Sequence, residues 1–517
     1  MQPFRVACCQ LRSHDIEDAE ANLQGILRAL DEAGQARAHL VLLPECAYPA
    51  YFLRDADPYA RPNVRPYGEV TRLLGEKAAR YGYWLAAGLA VPHGNGRLTN
   101  SGVVFDPSGA VRGRYDKTLL WHFDTEWFEP GTAFPVWDTG FCRFGILICA
   151  DGRQPEVARS LVVNGAEVLL DLTAWVSWGR DASELTNSHC EYLMPVRAFE
   201  NGVWVAAADK WGTEDGTIVY AGRSSVIDPR GRTLVCAPTD QDVVVTYDIE
   251  PLHAAPVARR PALYGRLTMP FDDLPVAATL RESMVPADED RRVAVVPGNG
   301  EFDARALIAR YESLRRQRVD LVVFSGMATH EGWAVDLPAI EAAVRARGGA
   351  VAFGLDYHGC THGQEAVLVT PGESVQHRAT HGAASPLGEM SAPVVATPAG
   401  NVALLCGDEG LVPEVARCLA LEGADILAWP IFAPFEMAER IARTRSDENR
   451  VYTAAAWPGG GIIIAPNGSP VTAVPVGIDV AMAAQVNKAM ARWKDMAPGT
   501  NLMRDRRPEA YAPLTRP

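Results

Sequence analysis

Lysine is scarce in this chain, which carries its positive charge almost entirely as arginine. Only five lysines, at positions 77, 117, 210, 488 and 494, occur among the 49 basic residues of 517. Arginine cannot replace the compact ammonium of lysine where a cation must approach a single oxygen. Each lysine is therefore a candidate for a specific role, although a surface position is the commonest place for this residue.

Other features that define functional classes are also missing. No basic segment followed by an apolar one opens the chain, and no apolar run could span a bilayer, so we expect neither a secretory signal nor a membrane anchor. The ten cysteines form no CxxC pair, which favours reduced thiols in a cytoplasm over disulfides or zinc. The net charge of -14 disfavours nonspecific binding to nucleic acid or anionic membrane. No metal-ligand spacing occurs, and we expect no metal and no cofactor.

The length and the order of apolar segments predict a layered protein of more than one domain. At 517 residues the chain exceeds what one hydrophobic core usually organises. Its hydrophobic content of 48% and charged content of 22% are ordinary for a globular protein. Strand-like and helix-like segments alternate from Phe4 onward, which indicates an α/β fold.

Three chemically useful side chains each stand where an apolar strand is predicted to end. They are Glu45, Lys117 and Cys149, and sites in layered α/β folds assemble at strand ends. Cys149 also precedes a predicted helix that starts near Pro155, so turn N–H groups would lie beside a rigidly held thiol, as a nucleophile requires. Taken singly, each has a simpler explanation: a solvated carboxylate, a surface lysine or an inert buried thiol.

Taken together, the segments around these residues resemble the nitrilase, or carbon–nitrogen hydrolase, superfamily with its Glu-Lys-Cys triad. The resemblance covers residues 4 to about 267. Its motifs are LLPEC at 42–46, RYDK at 114–117, WFEPG at 127–131, ICADGRQPE at 148–156, RAFEN at 197–201 and RRPALYG at 259–265.

The resemblance implies a thiol hydrolase. Glu45 would act as the general base that takes the proton of Cys149. The ammonium of Lys117 and the backbone N–H of Ala150 would stabilise the tetrahedral oxyanion, and a thioester would then be hydrolysed by water. A small-molecule amide is the expected partner.

Further site residues are predicted less directly. Relatives carry a second glutamate a few residues after the lysine; Glu126 is the candidate here, and Glu129, just before Pro130, is the weaker one. Four aromatic residues are possible pocket walls, although core packing is the more common role of such residues. They are Trp121, His122, Trp175 and Trp178.

The residues after the cysteine bear on the substrate. True nitrilases typically have Trp-Glu there, whereas this chain has Ala150-Asp151-Gly152, closer to the amidase and carbamoylase branches. An amide or N-carbamoyl substrate is therefore favoured over a nitrile. The alternatives are a nitrilase, an acyltransferase of the same fold and, less favoured, a non-catalytic binding protein.

The second half of the sequence repeats the first. Residues 268–290, rich in proline and acidic residues, predict a linker between an active domain at 1–267 and a second domain at 291–517. After the linker the landmarks return in the same order, which indicates a duplication. Matching pairs are LVLLPECA (40–47) with LVVFSGMA (321–328), ILICADGRQPEVARSL (146–161) with ALLCGDEGLVPEVARCL (403–419, one residue longer), and RRPALYGRL (259–267) with RRPEAYAPL (506–514).

This alignment predicts a silent second copy. It places Gly326 opposite Glu45 and His381 opposite Lys117, and it leaves Cys406 opposite Cys149 as a structural thiol. The superfamily resemblance implies two tandem four-layer α-β-β-α sandwiches packed as an intramolecular pseudo-dimer. Any further homo-oligomer is left open.

Overall fold

The chain folds into two compact units that interleave along the sequence. The structure, a computed structural model, describes residues 1–93, 96–177, 179, 181, 184–252, 254–281, 290–298, 300–330, 336–358, 363–381, 393–475 and 477–516. Unit 1 consists of Met1–Pro256, Met496–Asn501 and Asp505–Leu514, and unit 2 of Val257–Asp495, Leu502–Arg504 and Thr515–Pro517.

Unit 1 contains two facing sheets. Its strands are β1 Phe4–Arg12, β2 Leu40–Leu42, β3 Trp84–Pro92, β4 Leu98–Phe105, β5 Val111–Asp116, β6 Val136–Asp138, β7 Arg143–Ile148, β8 Val168–Leu172, β9 Trp204–Ala208, β10 Lys210–Glu214, β11 Ile218–Ala221, β12 Ser225–Ile227, β13 Thr233–Cys236 and β14 Val243–Ile249. The first sheet has the order β11-β10-β1-β2-β3-β4-β5, with β14 also paired to β1, and the second β13-β12-β9-β8-β7-β6. Strands β3 and β4 face β8 and β7 across the core.

Helices cover both outer faces of unit 1. They are α1 Ala19–Gln35, α2 Tyr67–Tyr81, the short α3 Asp124–Trp127, α4 Pro155–Val163 and α5 Met194–Asn201. Helix α1 buries Leu23, Ile26 and Leu30, spaced three and four residues apart, against the first sheet. Helices α4 and α5 pack on the second sheet, which completes an α-β-β-α sandwich.

Unit 2 repeats this architecture. Its strands are β15 Arg291–Val296, β16 Leu321–His330, β17 Ala350–His358, β18 Gln364–Val369, β19 Ser374–Arg378, β20 Val395–Thr397, β21 Gly400–Leu404, β22 Ile426–Pro430, β23 Tyr452–Trp457, β24 Gly460–Ile464, β25 Pro470–Ala473 and β26 Met482–Val486. They form sheets β19-β18-β17-β16-β15-β26 and β20-β21-β22-β23-β24-β25. The helices are α6 Pro275–Thr279, α7 Ala304–Arg316, α8 Leu337–Arg347, α9 Pro413–Leu421, α10 Ala438–Asn449 and α11 Lys488–Arg492; strands β27 Asp495–Ala497 and β28 Thr500–Asn501 form a hairpin after them.

The α/β prediction of two tandem four-layer sandwiches is confirmed. The unit boundaries differ from the predicted 267 and 290, because the segment after residue 256 packs into unit 2. Part of the predicted linker is helix α6, in which Val276 is fully buried. In the described part of the chain, no helix is long and apolar enough to cross a membrane.

The two arms with the RRP motif occupy equivalent places in opposite units. In unit 2, Arg259 Nε lies 2.9 Å from Glu414 Oε1. In unit 1, Arg506 Nε lies 3.4 Å from Glu156 Oε1. Glu156 and Glu414 occupy the same position at the start of helices α4 and α9. Each unit therefore contains the arm that belongs, by sequence, to the other repeat.

Candidate active site

Cys149 lies at a sharp turn between strand β7 and helix α4. Its backbone has a φ of +47°, in the left-handed region that side chains rarely adopt. The backbone N–H of Cys149 donates to Asp171 Oδ1 at 3.0 Å, and its Sγ lies 3.8 Å from the carbonyl oxygen of Ala174. The turn, together with these contacts, holds the thiol at the end of the strand, as the sequence predicts.

Glu45 and Lys117 form a fully buried ion pair. Glu45 Oε1 lies 2.6 Å from Lys117 Nζ and accepts a hydrogen bond from Asn100 Nδ2 at 2.7 Å. Its second oxygen, Oε2, is buried and makes no hydrogen bond within the described part of the chain. One carboxylate oxygen is therefore committed to fixing the ammonium, and the other is available for a proton.

The carboxylates at Lys117 are those of Glu45 and Asp124, and Asp124 is not among the site residues predicted from the sequence. Asp124 Oδ2 lies 2.6 Å from Lys117 Nζ and accepts from the backbone N–H of Trp121 at 3.0 Å. Both residues lie on the short helix α3, but Asp124 is fully buried while the side chain of Glu126 is exposed. The helix turns Asp124 inward, and a role of Glu126 in positioning substrate or water stays a prediction. Glu129, the weaker candidate, is ion-paired with Arg97.

Burial and charge determine the protonation of these groups. Burial lowers the pKa of Lys117, but Asp124 and Glu45 outweigh it and hold that pKa well above its usual value. Burial raises the pKa of Glu45, Lys117 lowers it and Asp124 raises it, so the net shift is upward. Burial and the Glu45 carboxylate raise the pKa of the Cys149 thiol well above its usual range, although Lys117 lowers it. The resting thiol is therefore protonated and needs a base.

A small cavity of about 100 Å³ opens at Cys149. Ala150, the predicted oxyanion donor, lines it next to the thiol, and Arg153 and His189 supply its polar wall. His189 Nδ1 pairs with Asn187 Oδ1 at 2.8 Å, and burial lowers the pKa of this histidine well below its usual value.

The four predicted pocket aromatics have different placements. Trp121 lines the cavity. Trp175 is fully buried behind the wall, with its ring 5.9 Å from the His189 ring in a stacked arrangement, so it supports a cavity residue and does not itself line the cavity. His122 lies beside Trp121 in the same loop, and Trp178 falls outside the described residues. Met496, from a segment far along the chain, also lines the cavity and carries no signal in the sequence.

Equivalent hydrogen bonds identify the counterpart of Glu45 in unit 2. The backbone N–H of Glu45 donates to the carbonyl of Thr173 at 3.3 Å, and that of Gly326 donates to Ile431 at 3.0 Å. Thr173 and Ile431 directly follow the equivalent strands β8 and β22. The predicted pairing of Gly326 with Glu45 therefore agrees with the structure.

The predicted counterpart of Lys117, His381, is wrong; the structure places Ala379 there. The backbone N–H of Lys117 donates to Asn100 at 2.9 Å, and that of Ala379 donates to Gln364 at 2.9 Å. The hairpin that precedes Ala379 is two residues shorter than the one that precedes Lys117. In unit 1, strand β5 contains a one-residue bulge that β19 lacks, and the turn before β5 is one residue longer than the turn before β19. His381 instead shares a hydrogen bond of 2.7 Å with Tyr264.

The predicted counterpart of Cys149, Cys406, is wrong by one residue. Strand β7 pairs Phe144 with Val168, and β21 pairs Val402 with Ile426. Phe144 therefore corresponds to Val402, and five residues later Gly407 corresponds to Cys149. The φ of Gly407, +54°, is close to that of Cys149, so both segments make the same turn. Glycine adopts this conformation without the strain that the cysteine bears.

A phenylalanine fills the corresponding space in unit 2. Phe432 follows Ile431 as Ala174 follows Thr173, and Ala174 lines the cavity in unit 1. A Cβ placed on Gly326 would lie 2.3 Å from the Phe432 ring, and one on Gly407 would lie 2.3 Å from Gln364 Oε1. Small residues therefore occupy all three triad positions in unit 2, and Phe432 fills the space beside them.

Across the described residues, no group of three or more His, Cys, Asp or Glu side chains is arranged to hold a metal ion. The site consists of a thiol, an ammonium, two carboxylates and backbone N–H groups. This set can perform nucleophilic acyl chemistry with its own proton transfer.

Comparisons with known proteins identify the family of this chain. The carbon–nitrogen hydrolase family model matches residues 5–259 and 320–495. A nitrilase of Pyrococcus abyssi is 32% identical over 248 residues, covering 48% of this chain and 89% of that protein. An omega-amidase of Homo sapiens is 30% identical over 255 residues, covering 47% and 88%. Among solved structures, a double mutant of the amidase from Nesterenkonia sp. AN1 in complex with acrylamide has 27% identity and a TM-score of 0.43, covering 48% of this chain and 90% of that one. The family match extends over both repeats, and the chain therefore belongs to the carbon–nitrogen hydrolase family, as an enzyme that acts on non-peptide carbon–nitrogen bonds.

Proposed function

We propose that unit 1 is a thiol amidohydrolase that cleaves a small amide or N-carbamoyl compound through a thioester on Cys149. One observation carries the proposal: Lys117 Nζ is held at 2.6 Å from both Glu45 and Asp124, in a fully buried setting. Glu45 and Cys149 contact adjacent residues of one segment: the backbone N–H of Glu45 donates to the carbonyl of Thr173 at 3.3 Å, and Cys149 Sγ lies 3.8 Å from that of Ala174. A buried ammonium fixed in this way is suited to stabilise a developing oxyanion.

The residues account for each step of the reaction. Glu45 takes the proton from Cys149 Sγ, and the sulfur attacks the amide carbon while the carbonyl electrons move to oxygen. Lys117 and the N–H of Ala150 stabilise that oxyanion. Glu45 returns the proton to the leaving nitrogen, so that ammonia or an amine departs and a thioester remains. Glu45 then deprotonates a water that attacks the thioester, releasing the acid and restoring the thiol.

The cavity favours a short substrate. Its volume of about 100 Å³ is smaller than the engineered cavity of about 150 Å³ that takes benzene. Its walls include Ala174, Val176 and Trp121, which suit an aliphatic chain. Short aliphatic amides are therefore the first substrates to test.

The experiment combines product release with detection of the intermediate. Ammonia and acid are measured over a panel of aliphatic amides, aryl amides, N-carbamoyl amino acids and nitriles, and the quenched protein is weighed by mass spectrometry. We expect ammonia release and an acyl adduct with short amides, both abolished in Cys149→Ala and retained in Cys406→Ala. An adduct or unchanged turnover in Cys149→Ala would contradict the proposal. Turnover of nitriles alone would favour a nitrilase, and products formed only with an added amine would favour an acyltransferase.

We also propose that unit 2 is a degenerate copy without hydrolase activity. The support is the set Gly326, Ala379 and Gly407 at the triad positions, with Phe432 in the space beside them. Complete loss of ammonia release in Cys149→Ala is the expected result. Residual turnover that disappears only when Cys406 is also replaced would contradict this assignment.

A further inference from the structure

One wall of the cavity comes from the far end of the sequence. Met496 lines the cavity together with Trp121 and Cys149, although 347 positions separate it from the thiol (496 − 149). Residues 496–501 belong to unit 1 and not to the unit formed by their sequence neighbours. A methionine side chain is apolar and flexible, so it can pack against an aliphatic chain of the right length.

The same segment also contacts the loop that carries Asp124, the second carboxylate at Lys117. Thr500 is buried, and its Oγ1 accepts a hydrogen bond from the backbone N–H of His122 at 2.8 Å and donates to the carbonyl of Leu120 at 3.2 Å. His122 has a φ of +49°, a conformation that needs support from its surroundings. Two residues later, Asp124 contacts Lys117. Thr500 therefore braces the turn that brings Asp124 to the ammonium.

We infer that residues 496–501 are a working part of the unit 1 site: Met496 contacts the acyl chain of the substrate and limits its length, and Thr500 positions the loop of Trp121 and Asp124. This inference rests on the proposed amidase function. It assigns the substrate class as short unbranched aliphatic amides. It also gives the second half of the sequence a role, because residues 496–501 belong to unit 1 and supply a wall of its cavity.

The length limit is tested with Met496→Ala and Met496→Phe in the full chain. The substrates are straight-chain primary amides from acetamide to hexanamide, with kcat/KM measured for each. One methylene in an apolar pocket changes kcat/KM by about 10-fold or more. We expect Met496→Ala to move the optimum toward longer chains and Met496→Phe to move it toward acetamide. Met490→Ala is the matched control, since Met490 is an exposed residue of helix α11 in unit 2, and it should leave the profile unchanged.

The positioning role is tested with Thr500→Val and Thr500→Ser. Valine has the shape of threonine but neither accepts nor donates, so we expect kcat to fall about 10-fold with little change in KM. Serine retains the hydroxyl and should restore kcat. A loss that serine does not restore, or one that appears in KM alone, would overturn the positioning role.

A second readout separates this inference from the proposed function. Straight-chain alkyl chloromethyl ketones of increasing length carry the chain on the acyl side of the carbonyl and alkylate Cys149 with loss of chloride and without turnover, and the rate is followed by mass spectrometry. If the chain turned over no amide, the proposed function would fail, and faster alkylation of Met496→Ala by the longer reagents would still support the cavity wall. Unchanged length profiles in both assays would overturn the inference while leaving an active amidase intact.

Discussion

Lys117 is a buried cation whose position depends on two carboxylates. Glu45 and Asp124 each lie 2.6 Å from its Nζ, and no part of the three side chains is exposed. Removing one partner of a buried pair leaves the other charge uncompensated. The position and charge of the ammonium therefore depend on Asp124, a residue to which the proposed mechanism assigns no reacting group.

Exchanging Asp124 for asparagine tests this dependence. We expect Asp124→Asn to lower kcat about 100-fold, because the ammonium loses one of its two fixed partners. The pKa of Lys117 should also fall, since Asp124 is the larger of the charges that raise it. Glu126→Gln is the matched control on the same helix, and because Glu126 is exposed its kcat should stay near that of the wild type. A larger loss of kcat in Glu126→Gln than in Asp124→Asn would mean that activity depends on Glu126 and not on Asp124.

The pH dependence of kcat/KM follows from the directions of the shifts. The Glu45 pKa is raised above 4.5, so activity should fall as the pH drops through a value higher than that of an ordinary glutamate. The Lys117 pKa is raised well above 10.5, so the ammonium persists and should impose no alkaline loss below about pH 10. Circular dichroism at each pH checks that the protein stays folded. A rate that rises only as the pH passes 9 would show that the thiol ionises without help from Glu45.

At the scale of elements, the carboxylate of Glu45 is positioned by the close approach of two backbones. Strand β3 passes directly against the Pro44–Glu45 segment at Gly88. A Cβ there would lie 2.0 Å from the Pro44 carbonyl oxygen and 2.8 Å from Glu45 Cα. The carbonyl of Gly88 also accepts from the N–H of Ala47 at 2.8 Å, which ties the loop to the strand.

Replacing Gly88 with alanine should displace Glu45. We expect Gly88→Ala to cost about 1–3 kcal/mol of the free energy of unfolding through overpacking. Activity should fall further, about 100-fold, because the base moves relative to the thiol. Gly68→Ala is the control, since a Cβ on this residue of helix α2 meets nothing within 4 Å. Thermal unfolding and kcat/KM measure both effects, and wild-type activity in Gly88→Ala would refute the packing argument.

At the scale of the whole molecule, the chain builds each unit from non-contiguous segments. The arm that contains Tyr511 belongs to unit 1, and the one that contains Tyr264 belongs to unit 2. Both arms adopt the same turn: each tyrosine hydroxyl accepts from a backbone N–H four residues earlier, at 2.9 Å for Tyr264 and 3.1 Å for Tyr511. Neither half of the sequence alone contains a complete unit.

The two tyrosines provide a matched pair of variants. Tyr511 is buried and stacks on Phe134 with ring centroids 6.1 Å apart, so Tyr511→Ala should cost about 3–5 kcal/mol of the free energy of unfolding. Tyr264→Ala removes the matching tyrosine of unit 2, which stacks on His381. We expect both to lower the unfolding temperature and Tyr511→Ala to lower activity more, because its arm belongs to the unit that contains Cys149. Equal activity losses would contradict this assignment.

The layered α/β fold, the duplication and the strand-end positions of Glu45, Lys117 and Cys149 were predicted from the sequence and are present in the structure. The three positions were predictable because Glu45, Lys117 and Cys149 each follow the end of a strand, and the apolar pattern of each strand can be read from the local sequence. A strand end is a local property of the chain, and so is the loss of the glutamate at Gly326.

Three features depend on the folded structure: the acid that faces Lys117, the residues that replace the triad in unit 2, and the unit to which each arm belongs. Asp124 and Glu126 differ only in the direction in which a four-residue helix points them. The bulge in β5 that makes Ala379 the counterpart of Lys117 depends on pairing between strands. Met496 lines the cavity beside Cys149 although the two residues lie far apart in the sequence. Neither the periodicity nor the spacing of residues predicts a contact over such a distance.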